Sequence, residues 1–220
     1  VANSARPESI TVRSLDRTVS DLVGLVPAED RGLDPALWEA SSATTLGRQL
    51  TELRTPRLPS MQHMLQDMLT VEATPPRDSA NGQAFFLDRL DALLALGAFD
   101  HARKLMEKAG PEDPRIFRRW FDVTLLTGRE NRACARMRAL PEITPTYPAR
   151  IFCLARSGDW PVAVVTLESA RSLGVVTAAE TDRLTRFLDD MAGGPALPPP
   201  PRPSPLDFLI LEAIGEPMGT

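Results

Sequence analysis

Leu96-Gly97-Ala98-Phe99-Asp100-His101-Ala102, Thr127-Gly128-Arg129-Glu130-Asn131-Arg132-Ala133 and Ser157-Gly158-Asp159-Trp160-Pro161-Val162-Ala163 are three renderings of one pattern. In each, a glycine is followed five residues later by an alanine, and Gly97, Gly128 and Gly158 lie 31 and 30 residues apart. Glycine frees a tight turn, and a small residue at a fixed distance beyond it lets neighbouring helices approach closely. A period of this size marks stacked supersecondary units, each unable to bury its apolar face alone.

Two further positions extend the pattern. A second alanine follows seven residues after the first at Ala109 and Ala170, with Leu140 in the middle unit. Prolines stand where the second helix of a unit would end, at Pro114 and Pro145, and Val175 takes that place in the third. On these residues the stretch from Phe85 to Gly174 resembles the tetratricopeptide family, with units shorter than that family's roughly 34 residues. The resemblance implies an all-α fold: a short right-handed superhelical stack of antiparallel helical hairpins, with an irregular helical part before it. It also implies a groove lined by the first helices, residues 115–126 and 149–156, that receives a peptide, helix or protein domain and needs no cofactor.

Outward from the repeats, four segments are expected: 1–84, a run of short helices; 85–192, the hairpins and a capping helix; 193–205, a proline-rich linker; and 206–220, the start of a further helix or domain. Apolar residues at Val12, Leu15, Val19, Leu22, Val23 and Val26 have helical spacing, so a helix is expected from Ile10 to Val26, closed by Pro27 and Gly32. Asp34-Pro35 reads as an N-cap and first-turn proline, and Leu46, Leu50 and Leu53 mark a helix over 44–53. Met61, Met64, Leu65, Met68 and Leu69 form one apolar face after Ser60, expected to pack in the core. Residues 74–82 read as a loop.

Thr177-Ala178-Ala179-Glu180 is a capping-box signature before Leu184, Phe187, Leu188 and Met191. This helix is expected to cover the end of the stack while Glu180, Asp182, Arg183, Arg186 and Asp189 face water. Between Gly193 and Pro205 seven prolines favour extended polyproline II, a stiff linker. The apolar helix that follows, beginning Pro205-Leu206-Asp207-Phe208, must either pack back on the scaffold or begin a further domain.

Composition narrows the function. A hydrophobic fraction of 43% with 25% charged residues is ordinary for a globular protein. A net charge of -4 and pI near 5.3 leave no global basic field, so no nucleic-acid partner is expected. No apolar run approaches the roughly 18 residues that would span a bilayer. Abundant Arg, Ala and Pro with only two lysines match a GC-rich bacterial coding bias. The first residue, Val1, is read as the edge of a trimmed product, after either an export signal or another boundary.

Cys134 and Cys153 carry the most specific residue-level expectation. They fall on the second helix of unit two and the first helix of unit three, equally far from the turn between Ile143 and Thr144. Antiparallel helices about 8–10 Å apart would hold such residues level, within disulfide reach. The alternative is two buried thiols in a reducing cytosol. A disulfide would point to an oxidising compartment, here the periplasm of a bacterium.

Arg115, Arg118 and Arg119 beside Trp120, with Asp122 and Arg150, are the candidate partner contacts, Trp120 as an apolar anchor. No phosphate loop, nucleophile elbow or zinc-binding helix motif is present, and His63 and His101 stand alone. No metal site and no catalytic residue are predicted. The expected function is therefore a non-enzymatic interaction scaffold with a protein or peptide partner. It is similar in style to exported helical-repeat accessory proteins of bacterial envelopes, flagellar-motor proteins among them. The alternatives are a cytoplasmic location and a regulatory or accessory domain of a longer protein or enzyme.

Overall fold

The computed structural model describes residues 20–53, 58–79, 83–189 and 195–216. Among them, ten α-helices and two very short strands alternate in the order α1 (Ala43–Thr51), α2 (Pro59–Thr70), α3 (Ala84–Ala95), α4 (Phe99–Ala109), α5 (Pro114–Leu126), α6 (Glu130–Ala139), α7 (Tyr147–Arg156), α8 (Trp160–Ser172), α9 (Ala178–Leu188) and α10 (Pro205–Ala213). Strand β1 (Val26–Pro27) precedes α1 and strand β2 (Val71–Glu72) follows α2.

From α3 to α9 each helix packs on the next, giving three antiparallel pairs, α3/α4, α5/α6 and α7/α8, and a following helix. The sequence repeat forms the turns between paired helices. Gly97, Gly128 and Gly158 have φ of 70°, 66° and 85°, a region that glycine enters without a Cβ penalty. At each turn two backbone bonds close the helix end: Gly97 N–H donates to Leu94 O and Ala98 N–H to Leu93 O, with the same pair at Gly128/Arg129 and Gly158/Asp159. These satisfy carbonyls that a helix end would otherwise orphan. The alanines five residues on, Ala102, Ala133 and Ala163, are fully buried, as is Ala170.

One continuous core runs through the pairs, built on Leu90, Leu93, Leu105, Met106, Ile116, Phe117, Phe121, Ile151 and Leu184. Asp113 caps α5 and Thr146 caps α7, each with a proline in the first turn. The capping box of α9 forms as its sequence indicates, Thr177 Oγ1 accepting from Glu180 N–H and Glu180 accepting from Thr177 N–H. Residues 195–204 have no helix or strand. The helix after them, α10, packs against α9 and reaches α5.

The N-terminal part departs from its reading in three ways. The expected helix 10–26 lies outside the described residues up to position 19, and its remainder is a 3-10 turn at Ser20–Leu22 followed by β1. Its backbone is claimed elsewhere: the carbonyls of Asp21 and Val23 accept from Arg89 at 3.3 and 3.0 Å, and the Asp21 carboxylate accepts from Phe86 N–H at 2.7 Å. β1 pairs in parallel with β2, Val26 opposite Val71 and Pro27 opposite Glu72, and two-residue strands leave no alternation to read. Gly24 makes this junction possible, since a Cβ there would lie 2.0 Å from the Glu72 nitrogen.

The apolar face of α2 enters the core only toward its C-terminal end, where Leu69 joins the main core and Met68 packs on a second cluster with Trp38 and Phe85. Met61 and Met64 are 47% and 52% exposed and only its C-terminal end, Leu69 and Thr70, is buried. The helix meets α3 and α4, and its first turns stay exposed at Met61 and Met64. Asp34-Pro35 starts a run of turns, with Ala36 N–H donating to Asp34 Oδ1 at 2.8 Å, and not a regular helix.

Arg89 on α3 ties this region together. It is 1% exposed and donates to the carbonyls of Leu69 at 2.8 Å and Val71 at 3.0 Å as well as to those of Asp21 and Val23. Burial lowers its pKa to about 10, partly opposed by nearby Asp21, so it stays charged at neutral pH. Replacing it by Leu keeps bulk but leaves these carbonyls without a donor. Arg89→Leu is expected to lower unfolding free energy by about 3 kcal/mol or more in urea denaturation.

Candidate functional site

The partner contacts expected from sequence fall into three different environments. Arg115, Arg118, Arg119 and Asp122 share one face of α5, as residues three, four and seven apart on a helix must. Arg118 and Arg115 are exposed, and Arg119 and Asp122 are half-buried. Arg119 grips Asp91 of α3 with two bonds of 2.6 Å and donates to Arg115 O at 3.1 Å. Arg115 is held by Asp113 and by Gln83 Oε1 at 2.8 Å. This strip therefore stitches α3 to α5 with paired charges.

Trp120 is elsewhere. Its ring is 5% exposed and sits 5.8 Å from that of Phe117, inside the core, so it acts in packing and is not an exposed anchor. Helical phase explains this, because Trp120 shares its side of α5 with Ile116, Phe117 and Phe121. Arg150 on α7 is also apart from the α5 strip. It donates to Pro141 O at 3.0 Å and lines a cleft between α6, α7 and α8.

The carboxylates along this face feel their burial. Desolvation raises Asp122 to about 6, with Arg118 and Arg119 pulling the other way. Burial also raises Asp88, reinforced by Asp91 and Asp21 and opposed by Arg119. Gly47 of α1 leaves room for Asp88, whose Oδ2 would lie 2.2 Å from a Cβ there.

Cys134 and Cys153 form a disulfide with Cα atoms 5.0 Å apart, joining α6 to α7. Both are buried. The bond links the second and third hairpins, as the antiparallel placement of the two cysteines indicates. Such a bond is consistent with an oxidising compartment.

Sequence reading missed the contacts that seat α10. Arg183 and Arg186, expected to face water, instead hold Asp207 at 3.1 Å and Glu216 at 3.0 Å, and Arg183 is 6% exposed. Leu206 and Ile210 enter the main core beside them. Ser204 and Asp207 form a capping box that starts the helix where its apolar run from Pro205 indicates, a local signal the sequence reading did not use. Its destination depends on a fold that brings α5 and α9 together and carries no local mark.

His63 and His101 are exposed. Among the described residues no group of three His, Cys, Asp or Glu side chains could hold a metal, and no helix is long and apolar enough to cross a membrane. No family model matches the chain, and neither a curated protein nor a solved structure matches it.

Two measurements probe this site. Cys134→Ala with Cys153→Ala is expected to lower stability by about 3 kcal/mol, the chain-entropy value for a loop of this size, in guanidinium denaturation. For Asp122 the folded pKa lies above the ordinary carboxylate value, so the folded state binds the extra proton and loses stability as pH rises toward about 6. Asp122→Asn should match the parent near the ordinary carboxylate pKa and exceed it in Tm above pH 6, which thermal scans across pH would read.

Proposed function

We propose that this chain is a tetratricopeptide-like helical scaffold that acts by binding a helix or peptide on the face of its first helices. α10 carries the reading: an apolar helix, tethered by a proline-rich stretch, lies across α5, the first helix of its pair, and α9, the helix that follows the last pair. The surface thus receives a helix already, in cis, through Leu206 and Ile210 and through the Arg183–Asp207 and Arg186–Glu216 pairs. An incoming partner of the same character would carry aliphatic residues at helical spacing and an acid in its first turn.

The buried disulfide supports placing the scaffold outside the cytoplasm, in a bacterial periplasm, where such a bond persists. We propose an envelope assembly as its setting, a flagellar motor being one example. A right-handed superhelical twist of the hairpin stack belongs to the same proposal.

The cis helix supplies the test. In a Leu206→Asp, Ile210→Asp variant, α10 is expected to leave its seat, since each substitution buries an unpaired charge. A labelled peptide of residues 204–216 should then bind that variant, followed by fluorescence anisotropy, and should bind the parent about tenfold more weakly or worse because the site is filled. A folded variant that ignores the peptide would count against the scaffold reading.

A further inference from the structure

Away from α10, residues of α6, α7 and α8 and the segment joining α6 to α7 enclose an open cleft of ≈ 290 Å³. The Cys134–Cys153 bond runs along its wall, and Met137, Leu154 and Val162 give it an apolar lining. Arg138 and Arg150 both line it. No residue of α5, α9 or α10 is among its walls, so it is separate from the face that carries α10.

The two arginines are held by neutral groups. Arg138 donates to Ser157 Oγ at 2.5 Å, and Arg150 to Pro141 O at 3.0 Å and Thr144 Oγ1 at 3.5 Å. Neutral acceptors fix a guanidinium in place without cancelling its charge. Arg150 is half-buried and Arg138 exposed; elsewhere the half-buried Arg119 and Arg186 and the buried Arg183 each have a carboxylate within 3.1 Å. Among the described residues, the acceptors of Arg138 and Arg150 are a hydroxyl, a carbonyl and a second hydroxyl, with no carboxylate in ion-pair contact.

We propose that this cleft is a binding site for an aliphatic carboxylate. The carboxylate lies between the two guanidiniums, which offer several donors to a planar anion, and the aliphatic part lies on Met137, Leu154 and Val162. The cavity sits at the lower limit of ordinary ligand sites, about 300–1,000 Å³, and takes a short acyl chain or one or two residues of peptide. The disulfide fixes α6 against α7 and so holds the two arginines in one frame before any ligand arrives. Val162 is 52% exposed and Val165, one turn further along α8, 65%, so a longer ligand can extend from the cleft along this helix.

The chemistry has two sources, a free acyl carboxylate and a peptide C-terminus. Isothermal titration of the oxidised full chain with octanoate and with acetyl-Ala-Leu-Leu distinguishes them, each against its neutral amide. The expected result is saturable binding of one or both acids at one site, about tenfold or more tighter than the matching amide. Binding of octanoate alone assigns an acyl ligand, and binding of the peptide alone assigns a C-terminus. The Arg138→Gln, Arg150→Gln double variant should lose the preference for acid over amide while keeping its far-UV spectrum and Tm. Absence of binding by either acid, or equal binding of acid and amide by the parent, overturns the proposal. So does undiminished acid binding by the folded double variant.

Discussion

Arg89 is the residue on which the N-terminal half of the molecule depends. Its guanidinium is enclosed, stays charged, and collects the carbonyls of Asp21, Val23, Leu69 and Val71, four points from two strands of chain far apart in sequence. A buried charge is costly unless its donors are satisfied, and here backbone oxygens do that where a carboxylate commonly would. The Asp21 carboxylate completes the arrangement by capping Phe86 N–H at the start of α3. The same junction is held by the parallel pairing of β1 with β2, by backbone bonds from Leu25 to Thr70 and from Ala28 to Glu72, and by the packing of Trp38 on Phe85. It anchors irregular chain to the first regular helix pair.

Beyond α3 the organising device is different and repetitive. Each pair is closed by a glycine with positive φ and by the same two backbone bonds, and a fully buried alanine sets the helix separation. The same terminal geometry recurs at Gly174 and Gly215, after α8 and α10. Local chemistry at each turn sets the direction of the next helix, and from α3 to α9 each helix contacts the next. Charged side chains then join one helix pair to the next from outside: Arg119 of α5 to Asp91 of α3, Arg132 of α6 to Glu107 of α4, Arg136 of α6 to Glu112 before α5, and Arg156 of α7 to Glu130 of α6. The disulfide adds one covalent link between the second and third pairs.

The repeat makes the central helices legible, because Gly97, Gly128, Gly158 and the buried alanines are local requirements written at fixed spacing. The cysteine pairing is legible for the same reason, since a turn midway between two residues places them level. Capping boxes at Thr177 and Ser204 are likewise local. The methionine face of α2 misleads: helical spacing gives the apolar side but not whether anything lies against it, and Met61 and Met64 remain exposed. Trp120 misleads in the other direction. Its arginine neighbours suggest surface, while its phase with Phe117 and Phe121 places it inside.

What the sequence determined by itself is therefore what backbone sterics and short-range spacing control: helices, their turns, their caps and the level meeting of Cys134 with Cys153. Only the tertiary structure decided which faces are covered. Arg89 finds its carbonyls, Arg183 finds Asp207, and α10 finds α5 and α9 through contacts between residues distant along the chain. Arg138 and Arg150 share a cleft for the same reason. Long-range contacts are stabilised by desolvation and packing after the chain has closed, and those energies leave no periodic trace in the residues that make them.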